Sequence, residues 1–276
     1  MPELPEVETV VRDLAAAGLA GCRICSVAAL WPKTLQPPHG IGWQAVEGCR
    51  IEAVSRRGKY IVLELSDGLQ LLIHLRMSGR LGIAPQAAAD EPYLRVRLLL
   101  EDGRELRFYD PRKFGRWQLV SGAESPLLNL GPEPLAPAFT AAALRRALRG
   151  RKGALKPLLL NQSVVAGLGN IYVDEALWAA GLHPLRPADS LKDAEINELR
   201  KAIRKVLRRA IGAGGTSLGS GRTNFYGLEG RPGRNLPRLK AYGRKGLPCE
   251  RCGGILQRTV VAQRGTHFCP ECQTIP

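Results

Sequence analysis

The chain has 276 residues and a formal net charge of +15, from 40 Lys+Arg against 25 Asp+Glu, and 45% of it is hydrophobic. That length fits one large domain or two ordinary ones of about 100–150 residues, and the basic excess points to a polyanion as partner, nucleic acid before a membrane surface. No apolar run approaches the roughly 20 residues that span a bilayer, no signal-peptide pattern is present at the start, and seven cysteines in such a chain argue against a disulfide framework.

Pro5 to Gly18 reads as a short helix, with Val7, Val10, Val11 and Leu14 on one face and Gly18 at its end. The rest of the first 120 or so residues reads mostly as strand. Leu94, Val96, Leu98 and Leu100 alternate with Arg95 and Arg97 as in a half-buried strand, and Asp67-Gly68 and Asp102-Gly103 look like hairpin turns. The stretch Gly131–Pro137 contains three prolines and breaks regular structure, which makes it the candidate boundary. Beyond it the period turns helical. Thr140 is placed to cap Ala141–Leu148, and Ser190 with Asp193 gives an S-x-x-D capping signature before Ile196, Leu199, Ile203 and Leu207. The other face of that last helix carries Arg200, Lys201, Arg204, Lys205, Arg208 and Arg209, and it reads as a solvated face ahead of a DNA contact. Gly212 to Gly246 is rich in glycine and basic residues and is expected to be loop.

Cys249-x2-Cys252 and Cys269-x2-Cys272 carry the strongest chemical signal. Two such knuckles complete a tetrahedral site of four thiolates for one structural Zn2+, with no position left for a reactive water. The β character of Ile255–Val261 and His267–Phe268 suggests a β-hairpin finger, too small to fold without its metal. Cys22-x2-Cys25 has no second pair, and in a strand residues three apart face opposite sides. Cys22, Cys25 and Cys49 therefore read as ordinary small residues.

At the other end, a small second residue favours removal of Met1, which would leave Pro2 a free secondary amine. An α-amino group titrates near about 8, so a useful fraction is neutral and nucleophilic at physiological pH. Such an amine can attack a sugar C1′ and form an iminium, an electron sink for β-elimination. Glu3 could serve as general acid or base at the sugar. Taken alone, this segment reads first as the start of the chain, with acids decorating a helix N-terminus.

Several blocks, taken in order, resemble the bacterial formamidopyrimidine-DNA glycosylase family. They are Pro2-Glu3-Leu4-Pro5-Glu6-Val7-Glu8-Thr9, Arg57-Gly58-Lys59-Tyr60, His74-Leu75-Arg76-Met77-Ser78-Gly79, Asp110-Pro111-Arg112-Lys113-Phe114-Gly115, Gly167-Leu168-Gly169-Asn170-Ile171-Tyr172, Tyr242-Gly243-Arg244 and the four cysteines. The resemblance covers the whole chain. It implies an α+β fold: an N-terminal helix on a β-sandwich over residues 1–131, a helix–two-turns–helix DNA-binding domain over 138–220, a base-capping loop and linker over 221–246, and a zinc finger over 247–276, with DNA in the cleft between lobes.

By the same resemblance, Pro2 is the nucleophile, Glu3 the acid/base of sugar ring opening, and Lys59 a lysine near the phosphates and the elimination chemistry. Met77, Arg112 and Phe114 match the trio that fills the void left by an everted base. Asn170 and Arg264 match phosphate-pinching residues, Lys156 a lysine of damage processing, and His74 and Tyr242 join the DNA-binding set through their blocks. The implied activity is excision of oxidised purines (8-oxoguanine, formamidopyrimidines) from damaged double-stranded DNA, followed by β,δ-elimination. The implied protein is a cytoplasmic, nucleoid-associated bacterial monomer with no membrane partner.

The alternatives are an endonuclease VIII-like enzyme for oxidised pyrimidines, a non-catalytic relative that binds damaged DNA, and a zinc-dependent nuclease, which four thiolate ligands disfavour. The chain departs from the family pattern within Thr216–Asn235. There the family's acidic-Gly-x-x-Gly-aromatic pattern becomes Glu229-Gly230-Arg231-Pro232-Gly233-Arg234, with arginine in the aromatic position.

Overall fold

The computed structural model describes residues 2–36, 42–121, 125–219, 221 and 224–275. Met1, and Ser220, Arg222 and Thr223 of the Thr216–Asn235 segment, lie outside the described residues. The chain forms two compact units, Met1–Leu128 with Ala213–Arg234, and Asn129–Gly212 with Asn235–Pro276.

In the first unit, helix α1 (Leu4–Ala16) buries Leu4, Val7, Val10, Val11 and Leu14 along one face, the stripe that its helical period calls for. Pro5 sits in the first turn, where its missing N–H is no loss. Gly18 follows at φ 67, a left-handed position that glycine adopts without strain. Eight strands follow: β1 (Ile24–Ala29), β2 (Ile51–Arg57), β3 (Tyr60–Leu65), β4 (Leu69–His74), β5 (Arg80–Pro85), β6 (Leu94–Leu100), β7 (Arg104–Tyr109) and β8 (Arg116–Ser121). They pair in two antiparallel sheets, ordered β1-β6-β7-β5 and β2-β3-β4-β8. Strand β6 alternates buried and half-buried residues along its whole length, and both expected hairpins form at residues 66–68 and 101–103. Val96, Leu98, Leu106 and Phe108 of one sheet share a core with Ile61, Leu63, Leu71, Ile73, Trp117 and Leu119 of the other and with the α1 stripe. Phe108 and Trp117 meet edge to face across it, with centroids 5.9 Å apart.

In the second unit, Thr140 Oγ1 accepts from Ala143 N at 3.1 Å and starts α2 (Ala141–Leu148). Helices α3 (Leu155–Leu160), α4 (Asn170–Ala180) and α5 (Asp193–Gly212) follow, then the hairpin β9 (Gln257–Val261) and β10 (Arg264–Phe268). Helix α4 packs on α3, α5 and β10, and α2 packs on α5. Two expectations need correction here. Ser190 does not cap α5: it lies in a 3-10 turn, accepts from Arg186 Nε at 3.1 Å and donates to Pro187 O at 2.8 Å. The reach-back comes from Glu195, whose Oε2 accepts from Lys192 N at 2.8 Å, because a carboxylate three residues into a helix meets the free N–H ahead of it. The basic face of α5 is also not simply solvated. Arg200 donates to Phe139 O, Arg204 to Pro134 O and Ala136 O, and Arg209 to Glu175, so three of its arginines satisfy groups of their own unit. Among the described residues, no helix is long and apolar enough to cross a membrane.

Candidate nucleic-acid site

Pro2 is buried, and Glu3 beside it is 2% exposed, at the N-cap of α1. The buried Glu6 carboxylate ties this end down. Its Oε2 accepts from Glu3 N at 2.8 Å, and its Oε1 accepts from Thr216 N at 2.8 Å. Two residues on, Glu8 meets Arg56 of β2, with Nε donating at 2.9 Å, and Arg56 Nη1 donates to Gly58 O at 3.0 Å. Burial pushes the Glu8 carboxyl up, but hydrogen bonds from Arg56 and Arg12 outweigh it and leave the group below its usual range. Gly58, at φ 58, turns the chain into Lys59, which is buried. A continuous set of bonds thus runs from α1, which carries Pro2 and Glu3, to the turn that carries Lys59.

His74 closes β4 with its ring against Tyr60, centroids 4.8 Å apart. Burial first, then the charges of Arg76 and Lys59, lower its pKa to about 3. Its Nδ1 accepts from Arg76 N at 3.0 Å, so in the neutral ring the proton sits on Nε2. The bond also shapes the turn that leaves Met77 40% exposed. Asp110, fully buried, accepts from Ser78 Oγ at 2.6 Å, Arg112 N at 3.1 Å and Gly115 N at 2.7 Å. One carboxylate therefore organises both the Met77 turn and the Arg112–Phe114 turn. A Cβ on Gly79 or on Gly115 would collide with the Phe108 ring, so both glycines let their turns sit on the core. Phe114 is 45% exposed, with the Arg112 guanidinium 4.9 Å from its ring. Exposed methionine and phenylalanine side chains are of the kind that can wedge into a base stack.

Within the first unit, the described residues of Ala213–Arg234 are bonded to one another. Ser217 Oγ donates to Phe225 O at 2.5 Å and accepts from Gly233 N at 2.9 Å. Gly233 lies so close to Gly215 and Thr216 that a Cβ would strike their backbone. Asp13 Oδ2 of α1 accepts from Leu228 N at 3.0 Å, and Phe225 and Leu228 pack on the sandwich core. Arg234, where the family pattern has an aromatic, is exposed. The aromatic packing here comes instead from Phe225, which the sequence reading left without a role.

In the second unit the motif residues gather on one carbonyl. Gly265 O, in β10, accepts from Asn170 Nδ2 at 3.0 Å and from Lys156 Nζ at 2.9 Å. Asn170 opens α4 behind Gly169, and Gly167 precedes them at φ 86, so the start of this helix lies against β10 beside Arg264. Arg264 itself is exposed, straight after Ala262 and Gln263 in the left-handed region. Lys156 differs from its expected place among DNA contacts. It is 0% exposed, and Nζ donates to Asp174 Oδ1 at 2.6 Å. Asp174 Oδ2 also accepts from His267 N at 2.9 Å, so an ammonium that met a phosphate directly would leave a buried carboxylate short of a partner. Tyr242 rests edge to face on His267, centroids 5.1 Å apart. Its backbone N donates to Glu175 Oε1 at 3.1 Å, as do Ala241 N and Lys240 N at 2.8 and 2.9 Å. Glu6 and Asp110 stand in the sequence blocks without an expected role and Asp174 and Glu175 in none, although two adjacent acids inside the apolar stretch Ile171–Ala180 were a usable signal.

Cys249, Cys252, Cys269 and Cys272 have their Sγ atoms within 4.8 Å of one another, two pairs standing 3.9 and 3.5 Å apart. Four thiolates at about 2.3 Å around one Zn2+ stand about 3.8 Å apart, so the residues fit one structural zinc. Trp178 Nε1 and Arg251 N donate to Cys249 Sγ at 3.3 and 3.4 Å, as donors around a thiolate should. The Arg251 guanidinium lies 4.6 Å from the Trp178 ring and donates to Trp178 O and Ala179 O, which fastens the finger to the end of α4.

Three family models match the chain in order: the formamidopyrimidine-DNA glycosylase N-terminal domain at residues 1–117, its H2TH domain at 130–221, and the zinc finger found in FPG and IleRS at 246–275. The chain is 48% identical over 274 residues to the formamidopyrimidine-DNA glycosylase of Protochlamydia amoebophila, covering 99% of each chain. It is 44% identical over 280 residues to that of Enterococcus faecalis, covering 100% of this chain and 98% of the relative. The MutM (FPG) protein of Thermus thermophilus superposes with a TM-score of 0.88 at 43% identity over 100% of both chains. The Lactococcus lactis FPG in complex with Fapy-dG-containing DNA superposes with a TM-score of 0.87 at 38% identity, over 99% of this chain and 100% of that one.

Proposed function

The chain belongs to the formamidopyrimidine-DNA glycosylase family, and on that premise we propose that it is a bifunctional DNA glycosylase and AP lyase of base excision repair, acting on oxidised purines in damaged duplex DNA with Pro2 as its nucleophile. The observation that carries this reading is the N-terminus: Pro2 and Glu3 are buried at the head of α1, and the Glu6 carboxylate clamps that head.

With Met1 removed, the Pro2 nitrogen lone pair attacks C1′ of the everted nucleotide. The N-glycosidic bond breaks, and the base leaves with the bonding pair and takes up a proton. Glu3 protonates O4′ as the C1′–O4′ bond opens, which leaves an iminium between Pro2 and the sugar. The iminium acidifies the C2′ hydrogen. Loss of that proton expels the 3′ phosphate oxygen, and a second elimination expels the 5′ one. Lys59, held in its turn by the Glu8–Arg56–Gly58 bonds, lies beside this chemistry. Met77, Arg112 and Phe114 occupy the emptied stack, while His74, Asn170, Tyr242 and Arg264 take phosphates, with Lys156 supporting Asn170 and Arg264 through Gly265. The structural zinc supplies the fixed shape of the finger that presents Arg264. We place the enzyme in the bacterial cytoplasm, as a monomer on the nucleoid.

Borohydride trapping on abasic duplex DNA tests the nucleophile. The expected result is a covalent adduct that disappears in Pro2→Gly while the thermal transition is unchanged. An adduct that survives Pro2→Gly and vanishes on substitution of a lysine would refute proline catalysis. Excision of thymine glycol without 8-oxoguanine would move the enzyme to the oxidised-pyrimidine reading.

A further inference from the structure

Beside the Arg112–Phe114 turn lies an aromatic side chain that neither the motifs nor the mechanism uses. Trp31 follows β1 and is half-buried, and its backbone N donates to Arg95 O at 3.2 Å, so the first sheet holds it in place. Lys113 Nζ stands 4.0 Å from the centroid of its ring, well inside the distance at which an ammonium is attracted to an indole face. Lys33 Nζ stands further off, at 5.9 Å. Lys113 is the central residue of the turn and has φ 61, a conformation that a lysine backbone seldom adopts. The contact on Trp31 ties the end of the Lys113 side chain to the residue that follows β1, while its backbone forms the centre of this turn. The same backbone turn sets where the flanking Arg112 and Phe114 side chains point.

We infer that Trp31 is a positioning residue for reading the base opposite the lesion: by seating Lys113, it fixes the turn from which Arg112 and Phe114 enter the stack. This rests on the reading that Arg112 and Phe114 fill the void and that the Arg112 guanidinium hydrogen-bonds the orphaned partner base. Trp31 touches no reacting atom, so its effect should appear in discrimination between opposite bases and not in the elimination step.

The test measures single-turnover excision of 8-oxoguanine opposite cytosine and opposite adenine, with strand cleavage at a preformed abasic site in single-stranded DNA as the control. Trp31→Ala and Lys113→Met should each compress the cytosine-to-adenine rate ratio by about three- to tenfold, the scale of one cation–π contact, and leave single-strand cleavage unchanged. Trp31→Phe, which keeps a ring, should restore most of the ratio. Lys113→Met keeps the exposed stem and guards against misfolding of the Trp31 variant. If Arg112→Ala collapses the ratio while Trp31→Ala and Lys113→Met leave it intact, the inference is overturned and the void-filling reading stands. If Arg112→Ala also leaves it intact, both are overturned.

Discussion

At His74, burial together with the Arg76 and Lys59 charges keeps the imidazole neutral, and the Arg76 N–H fixes which nitrogen carries the proton. The ring therefore adds no charge beside Lys59. The folded pKa, about 3, lies below the ordinary value of about 6.5, so on acidification the unfolded chain takes up a proton before the folded one does. Stability should be fully present above pH of about 6.5 and drain away as the pH falls toward 3. Urea titrations across that window should show a smaller slope in His74→Leu than in the wild type, and equal slopes would contradict a neutral buried ring. The identity of His74 was legible in its sequence block. Its protonation state was not, because it depends on residues 59, 60 and 76 arriving from β3 and two turns.

Among the elements, α3, α4 and β10 are joined by one buried charge pair and the carbonyl it shares, Lys156–Asp174 with Gly265 O. Lys156→Met would strand the Asp174 carboxylate in a fully buried place, at a cost of about 3–5 kcal/mol. Adding Asp174→Asn should return part of that stability, since an amide oxygen can still accept from His267 N. Thermal unfolding of the two variants decides it, and a double variant no more stable than the single would exclude the stranded-charge account. Local signals predicted the elements well: the α1 stripe, the β6 alternation, the Thr140 cap and the cysteine hairpin all form where spacing put them. Ser190 and the α5 arginines failed for a common reason. Hydroxyls and guanidiniums have many possible partners, and here the winners, Arg186, Phe139, Pro134 and Ala136, lie in segments whose approach no local pattern encodes. The bonds within Ala213–Arg234 were illegible for a related reason: Ser217 meets Phe225 and Gly233, partners 8 and 16 residues away that no local period joins.

For the whole molecule, a net charge of +15 sets the terms on which it meets DNA. The logarithm of affinity should fall linearly with the logarithm of salt, by about 0.9 per phosphate neutralised. Arg264→Ala should lower that slope by about 1 with little change in base preference, as binding isotherms at several salt concentrations will show. An unchanged slope would remove Arg264 from the phosphate contacts. The zinc has its own reporter, since Trp178 donates its indole N–H to Cys249 Sγ. Chelation should shift the tryptophan emission and lower the melting temperature, and re-added zinc should reverse both.

The Phe108 ring is the seat for two separate turns, through Gly79 and Gly115. That shared seat restricts the order in which these positions could change over generations. A side chain at residue 115 is tolerable only after residue 108 has become smaller, one at residue 79 would still strike the Leu75 carbonyl, and a smaller residue 108 first opens a hole between the sheets at Trp117. Every route out of this trio begins with a loss, so the three are expected to be inherited together as a single unit.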